Sequence, residues 1–230
     1  SQNNSLNLNA TCSYLCDGAV TIIINGGELP YSSIEWFEGT IGSGVNTGIT
    51  GLTNNQLCPD TDYYVLIKDA NNCQQTFQIT QITSASAINI VGTTSDIDCY
   101  GDGDGSIDIT ATGGNGVLSP AWTTVVPGSG IVPGNTDQSG LSGGTYKIVI
   151  TDDNLCQDSA TYVINEPNAI FSNGTVNNVS CSGLTDGNIT LNLSGGTGTL
   201  NTTWNGPSGF TSNDGNLVSL DSGTYQLNVI

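Results

Sequence analysis

The chain has 230 residues and a formal net charge of −18, with two lysines as its only cations and no histidine. Nucleic-acid binding is excluded on this composition, because neutralising phosphate groups requires Lys and Arg side chains. An anionic membrane surface would repel the chain for the same reason, and no apolar run is long enough to predict direct insertion into a membrane.

The composition favours β-strands joined by turns. Glycine is abundant, at 31 residues, only 10% of the residues are charged, and strong helix formers are scarce. Hydrophobic residues fall in short alternating runs, such as residues 19–24 and 146–150, which is the pattern of strands with one buried face. We therefore expect an all-β protein with almost no helix.

Three copies of one sequence unit follow one another along the chain. Each copy opens with a cysteine, four further residues and Asp-Gly, and the opening residues are Cys12, Cys99 and Cys181. An alternating strand pattern, a Gly-Gly pair and a single tryptophan come next in each copy, and the tryptophans are Trp36, Trp122 and Trp204. We predict three domains, at residues 1–86, 87–168 and 169–230, of which the third is truncated.

Each copy is predicted to form a β-sandwich of the immunoglobulin or fibronectin kind, because short strands alternate with Gly, Asn, Asp and Pro turns. The spacing Leu57-x-Pro59-x-Thr61-x-Tyr63 predicts a tyrosine corner, in which the Tyr63 hydroxyl bonds to the preceding turn. The three tryptophans are predicted to fill the cores. Stacking of exposed tryptophans on carbohydrate is the alternative.

The seven cysteines follow the repeat. A cysteine near the start and another near the end of a copy recur at equivalent positions, and two extra cysteines occur together in the first copy. The predicted disulfides, each within one domain, are Cys12–Cys73, Cys99–Cys156 and Cys16–Cys58. Cys181 is left without a partner in this sequence. Such disulfides indicate an oxidising compartment, whereas a zinc site lacks both a CxxC pair and a histidine here.

The order of these motifs is similar to that of a known repeat. The second copy carries the fullest set, which is Cys99, Asp104, Gly113, Trp122, Leu141, Tyr146, Asp152, Cys156 and Glu166-Pro167. On these residues the unit resembles the SprB-type repeat of Bacteroidetes gliding-motility adhesins and related giant surface proteins. The resemblance implies a long repetitive protein, exported through a type IX route and displayed at the cell surface or in filaments, where it adheres to substrata.

Four aspartates crowd nine residues at the join of the first two copies, and they are Asp96, Asp98, Asp102 and Asp104. Calcium takes oxygen ligands of this kind, so this segment is the candidate metal site. The alternative is a set of Asp-Gly turns exposed to solvent. No other cofactor is expected.

An enzyme is not expected, because without His or Arg there is no ordinary base for a Ser or Cys nucleophile. Asp158-Ser159-Ala160 is similar to the O-glycosylation triplet of exported Bacteroidetes proteins, which makes Ser159 a candidate for glycosylation. The leading prediction is a structural and adhesive stalk segment of an extracellular, cell-surface protein that contacts surface glycans or substrata. The alternatives are a filament subunit that binds copies of itself, and a carbohydrate-binding module.

Overall fold

The structure is a computed structural model that describes residues 5–79 and 82–230. In this part of the chain nearly all regular structure is β-strand, and one 3-10 turn at Pro207–Gly209 is the only helical element. No helix in it is long and apolar enough to cross a membrane.

The first copy, here repeat 1, contains seven strands in two sheets within its described residues. The strands are β1 (Ser5–Leu8), β2 (Gly18–Ile22), β3 (Ser33–Glu38), β4 (Val45–Thr50), β5 (Thr53–Leu57), β6 (Tyr63–Lys68) and β7 (Gln74–Ile79). One sheet has the order β1-β2-β5 and the other β4-β3-β6-β7. Neighbouring strands in both sheets are antiparallel.

Repeats 2 and 3 each have six strands in two three-stranded sheets. Repeat 2 contains β8 (Asn89–Ser95), β9 (Gly105–Thr112), β10 (Ser119–Val126), β11 (Gln138–Leu141), β12 (Gly144–Thr151) and β13 (Gln157–Ile164). Repeat 3 contains β14 (Phe171–Asn177), β15 (Gly187–Ser194), β16 (Thr202–Asn205), β17 (Thr211–Ser212), β18 (Leu217–Leu220) and β19 (Gln226–Val229). The sheets are β8-β9-β11 and β10-β12-β13 in repeat 2, and β14-β15-β18 and β17-β16-β19 in repeat 3. The prediction of tandem all-β sandwiches is confirmed.

Alternating sequence patterns such as those of β2 and β12 become strands because one face is buried. In β2, Val20 and Ile22 are buried while Thr21 between them is only half-buried. In β12, Tyr146, Ile148 and Ile150 are all buried. Register slippage by one residue would bring the polar alternates into the core, so the pattern specifies the pairing.

The core of repeat 1 lies between its two sheets. Val20 and Leu57 come from the first sheet, and Trp36 and Val65 come from the second; all four are 0% exposed. The indole N–H of Trp36 donates to the carbonyl of Gly51 over 2.8 Å, which satisfies the one polar atom of this buried ring.

Trp204 has the same place in repeat 3. It is 4% exposed and packs with Ile189, Leu217 and Leu220. Its indole N–H donates to the carbonyl of Asp214 over 3.0 Å. Since the two rings are buried, they form core rather than a platform for a sugar, whereas Trp122 is only half-buried.

Each repeat also has a tyrosine corner. The backbone N–H of Cys58 donates to the Tyr63 hydroxyl over 3.0 Å, as the spacing predicts. In repeat 2 the Tyr146 hydroxyl lies 2.7 Å from the carbonyl of Ser142, four residues upstream. The Tyr225 hydroxyl donates to Asp221 over 3.1 Å in repeat 3. These bonds anchor the connection that precedes the strand.

The Gly-Gly pairs of repeats 2 and 3 are hydrogen-bonded to the segment that connects each repeat to the one before it, which we call the join. Gly114 N–H donates to the carbonyl of Ser86 over 2.8 Å, and Gly196 N–H donates to Asn168 over 2.9 Å. Gly195, the first glycine of the pair in repeat 3, has φ +86°, and a Cβ there would collide with the carbonyl of Ala169. In repeats 2 and 3 the join therefore passes too close to the first glycine of the pair for a side chain.

The chain divides into two compact units. The first comprises Ser1–Gly92, Ile109–Trp122 and Ile148–Ala160, and the second Thr93–Asp108, Thr123–Lys147 and Thr161–Ile230. The first unit contains repeat 1 with one part of repeat 2, and the second contains the other part of repeat 2 with repeat 3. The predicted domain limits at residues 86 and 168 are drawn from the sequence repeat and stay predictions.

Candidate cross-linking site and acidic segment

The opening cysteine of each repeat sits in a loop closed by an aspartate, and we call residues 11–17, 98–104 and 180–186 the cysteine loops. The backbone N–H before the cysteine donates to the aspartate Oδ1 five residues beyond that cysteine. This distance is 2.9 Å from Thr11 to Asp17 and 2.9 Å from Ser180 to Asp186. It is 3.3 Å in the middle loop, from Asp98 to Asp104.

The hydroxyl that precedes the cysteine strengthens two of these loops. Thr11 donates its hydroxyl to Asp17 Oδ2, and Ser180 donates its own to Asp186 Oδ2 over 2.6 Å. These side-chain bonds, followed by the backbone bonds, lower the pKa of both carboxyls from the ordinary value of 3.8. Charge-assisted bonds of this kind hold the loop in one shape while the aspartate is ionised.

The closing cysteines of repeats 1 and 2 sit in a second motif, and we call residues 69–73 and 152–156 the aspartate turns. Asp152 Oδ1 accepts from the N–H groups of Asn154 and Cys156, each over 2.9 Å. Burial would raise the pKa of Asp152, but the N–H groups of Asn115, Cys156 and Asn154 together lower it. The ionised side chain therefore organises the turn.

A disulfide joins the two motifs. Cys12 of the first cysteine loop is bonded to Cys156 of the second aspartate turn, with the Cα atoms 5.7 Å apart and a sequence separation of 144 residues. Around it, Asn154 Nδ2 donates to the Thr11 carbonyl over 3.2 Å, and Gln157 N–H donates to the Tyr14 hydroxyl over 3.1 Å. The bond thus links repeat 1 to repeat 2.

This pairing corrects the expected disulfides Cys12–Cys73 and Cys99–Cys156. Gly18, which follows the first cysteine loop, pairs with Leu57, and Leu57 precedes the start of β6 in the chain. Cys73, by contrast, follows the end of β6. Six residues of β-strand span about 20 Å. A disulfide requires Cα atoms within about 7 Å of each other. Cys12 and Cys73 therefore lie at opposite ends of one sandwich, out of bonding reach.

The other cysteines divide into one bonded pair and three thiols. Cys16 and Cys58, the extra cysteines of repeat 1, are bonded to each other with the sulfurs 2.01 Å apart. Cys73, Cys99 and Cys181 are free and exposed. Repeat periodicity identified which cysteines are equivalent, but it carried no signal for which repeat supplies the partner.

The four aspartates of residues 96–104, which we call the acidic segment, do not converge on one point. Asp96 accepts hydrogen bonds from the backbone N–H of Asn165 over 2.8 Å and from its side-chain Nδ2 over 2.9 Å. Both bonds lower the pKa of Asp96, and the side-chain bond has the larger effect. Asp104 closes its own cysteine loop. Among residues 5–79 and 82–230, no three His, Cys, Asp or Glu side chains form a group that would hold a metal. Asp96, Asp98, Asp102 and Asp104 thus give no calcium cage in this arrangement.

The candidate glycosylation residue, Ser159, is exposed on β13. Its backbone N–H donates to the side chain of Asp158 over 2.8 Å. The hydroxyl therefore stands on an accessible strand surface, and modification there stays a prediction.

Comparison with known proteins gives a match to a repeat family and matches to solved structures. None of the curated proteins compared with the chain matches it. Among solved structures, the three N-terminal domains of the bacteriophage RB49 Highly Immunogenic Outer Capsid protein (Hoc) are similar, with 12% identity and a TM-score of 0.39, over 94% of this chain and 79% of that chain. The SprB repeat family matches residues 91–126 and 173–209. The resemblance read from the motifs is therefore confirmed: one segment in each of the second and third copies matches the SprB repeat.

Proposed function

We propose that the chain is a structural and adhesive stalk segment of a long repetitive protein on the cell surface, and that it catalyses no reaction. SprB repeats are typical of surface adhesin-like proteins. The observation that carries the proposal is the Cys12–Cys156 bond, which ties one sandwich covalently to the next. A spacer that carries load benefits from such a bond, because the segment between the two cysteines cannot extend under force while the disulfide is intact.

The joins support the same function. Hydrogen bonds from Gly114 to Ser86 and from Gly196 to Asn168 attach each join to the repeat that follows it. The surface is strongly acidic, with a net charge of −18, which opposes collapse onto neighbouring molecules. Both features suit a spacer that holds an adhesive surface away from the cell.

Single-molecule stretching tests the mechanical part of this proposal. The chain is held by handles at its two ends and pulled until it unfolds. The intact disulfide should withhold the segment of 144 residues between its cysteines, which is about 50 nm at the extension of a stretched chain. A Cys156→Ser variant should release this length except for the 42 residues that the Cys16–Cys58 bond still closes, which is a gain of about 35 nm. Equal final lengths for the two chains would contradict the proposed load-bearing role.

Export through a type IX route, gliding, and contact with glycans or substrata are the finer parts of the proposal. Cys73, Cys99 and Cys181 are exposed thiols, so a membrane-impermeant maleimide applied to intact cells should label the protein. Labelling only after lysis would contradict surface display.

Beads coated with the chain should bind glycan-coated or bare surfaces above the level of beads coated with an unrelated acidic protein, and equal binding would remove the adhesive role.

A further inference from the structure

We propose that a pocket where repeat 1 meets repeat 2 binds an uncharged sugar at the end of a glycan, with the ring of Tyr14 as its stacking surface. The inference rests on the proposed contact with glycans, and it names the site and the class of sugar. The pocket has a volume of about 300 Å³, at the small end of the range of ligand pockets. It therefore admits the end of a glycan and not a long stretch of it.

Three segments of the first compact unit form the walls of this pocket, which we call the disulfide pocket. The cysteine loop of repeat 1 supplies residues 12–14, the join supplies residues 85–88, and repeat 2 supplies Asp152 with residues 156–158. Cys12 and Cys156 both line it, so the disulfide between the repeats is part of its wall. The bond fixes the two sides of the pocket to each other, so the pocket is formed before a ligand arrives.

The ring of Tyr14 is both exposed and held in place. The residue is 60% exposed, and its hydroxyl accepts a hydrogen bond from the backbone N–H of Gln157 over 3.1 Å. This bond ties the tip of the side chain to repeat 2, while the residue lines the pocket. The face of an aromatic ring is electron-rich and attracts the C–H groups of a sugar ring. Because the ring is already held, stacking on it costs little further ordering.

The rest of the lining has the two kinds of surface that a sugar ring requires. Ala87 and Ile88 of the join are apolar, as is the disulfide beside them. The side chains of Ser13, Ser86 and Asp158 belong to exposed residues that line the same pocket. A bound sugar would lay its C–H groups on the apolar part and donate hydroxyl hydrogen bonds to the Asp158 carboxylate.

The charge of the lining decides which sugars the pocket admits. Asp152 and Asp158 are among the lining residues, and neither of the two lysines is. The chain carries a net charge of −18, so a uronic or sialic acid is repelled both on approach and at contact. An uncharged hexose or N-acetylhexosamine meets no such repulsion. The ligand is therefore assigned as a neutral sugar.

Binding of the whole chain to a glycan array tests the inference. The array displays glycans that end in neutral hexoses, in N-acetylhexosamines or in acidic sugars, and the labelled chain is applied at about 0.15 M salt. We expect retention on at least one glycan with a neutral end and none on glycans with acidic ends. No retention on any neutral glycan, or equal retention on acidic ones, would overturn the inference.

Substitutions in the pocket locate the binding site. Tyr14→Ala should weaken binding of the retained glycan about tenfold, the effect of losing a stacked ring. Leu15→Ala is the matched control, because Leu15 is an exposed residue of the same loop that does not line the pocket, and it should bind as the wild-type chain does. Asp158→Asn keeps a hydrogen-bond acceptor without the charge, so it should begin to retain acidic glycans. Equal affinities for Tyr14→Ala and Leu15→Ala would place the sugar elsewhere and refute the assignment.

The disulfide gives a second readout, which needs no variant. Reduction begins when a thiolate attacks one of the two sulfurs, and a sugar in the pocket covers the wall that contains Cys12 and Cys156. With the soluble glycan at about four times its Kd, about a fifth of the chain is unoccupied, so reduction by dithiothreitol should slow about fivefold. The Cys16–Cys58 bond lies outside the pocket lining and should be reduced at an unchanged rate. Equal effects on the two bonds would also refute the assignment.

The bead assay described above separates this inference from the proposed function. Beads that adhere while the array retains nothing leave the adhesive role in place and remove the sugar pocket. Retention on the array that is lost in Tyr14→Ala, without adhesion of the beads, supports the pocket and removes the adhesive role. Failure of both assays removes both.

Discussion

Cys12 of repeat 1 is bonded to Cys156 of repeat 2. In the sequence, Cys12 is nearer to the aspartate-turn cysteine of its own repeat, Cys73, and Cys156 is nearer to the cysteine-loop residue of its own repeat, Cys99. The bond closes a segment of 144 residues. In the chain-entropy account a loop of this length destabilises the unfolded chain by up to about 5 kcal/mol. The bond is therefore expected to stabilise the two repeats it connects.

Removing this disulfide should lower stability. In the double variant Cys12→Ser and Cys156→Ser, we expect the free energy of unfolding to fall by up to about 5 kcal/mol, because the unfolded chain regains conformational entropy. Urea unfolding followed by tryptophan fluorescence measures this change. Cys73→Ser, which removes an exposed free thiol, is the control and should unfold at the same urea concentration as the wild-type chain. A double variant as stable as that control would contradict the expectation.

The tyrosine corner of repeat 2 is expected to be a second source of stability. Tyr146 is 0% exposed, and its hydroxyl lies within hydrogen-bond distance of the carbonyls of Ser129 and Ser142. Tyr146→Phe leaves these carbonyls without that donor and should cost about 1 to 3 kcal/mol in unfolding free energy. Tyr100→Phe, at a residue that is 63% exposed, should have no effect in the same urea experiment. Equal stabilities for the two variants would refute the role of the corner.

Acid should weaken the cysteine loops. The pKa of Asp17 and of Asp186 is lowered in the folded chain, so the unfolded chain binds more protons between the folded and unfolded pKa values. Stability is then fully present above the unfolded value of about 3.9 and is lost as the pH falls through the folded pKa. Scanning calorimetry should show a melting temperature that is steady at pH 5 to 7 and falls below about pH 4.

A variant isolates the loop contribution to this pH dependence. Thr11→Ala removes the hydroxyl that contributes most to lowering the pKa of Asp17, so the acid-induced fall in melting temperature should become shallower. Thr47→Ala alters another hydroxyl of repeat 1, which bonds to the Trp36 carbonyl and not to an aspartate. The melting temperature of the Thr47→Ala variant should be offset from that of the wild-type chain by the same amount at every pH, so that it falls in acid with the wild-type slope. A wild-type slope for Thr11→Ala would contradict the assignment.

Calcium has a direct test at the acidic segment. Because Asp96 is bonded to Asn165 and Asp104 closes its own loop, we expect the melting temperature to stay unchanged when calcium is added or chelated. A ligand that binds the folded chain would raise the melting temperature. A rise with calcium that disappears in Asp96→Asn would restore the calcium site predicted from the sequence.

The strands and corners were predictable from local patterns. The alternation around Val20 predicts a buried strand face, and the spacing that ends at Tyr63 predicts its hydroxyl bond to Cys58, since both depend on residues near one another in the chain. The partner of Cys12 was not predictable in this way. It depends on the length of β6, which separates Cys73 from Cys12, and on the packing of the next repeat against the first cysteine loop.

The acidic segment shows the same limit. Four aspartates within nine residues indicate a metal site by composition, but the partners of their side chains decide the outcome. Asn165, which occupies both oxygens of Asp96, lies 69 residues further along the chain. No local pattern around Asp96 signals that contact.

Disulfide mapping of the unreduced protein tests the central claim most directly. Free thiols are blocked with an alkylating reagent, the chain is digested with pepsin at acid pH to prevent exchange, and linked peptides are identified by mass spectrometry. The structure predicts that Cys12 is joined to Cys156 and Cys16 to Cys58, with Cys73, Cys99 and Cys181 alkylated. Recovery of Cys12 joined to Cys73, and of Cys99 joined to Cys156, would contradict the covalent link between repeats.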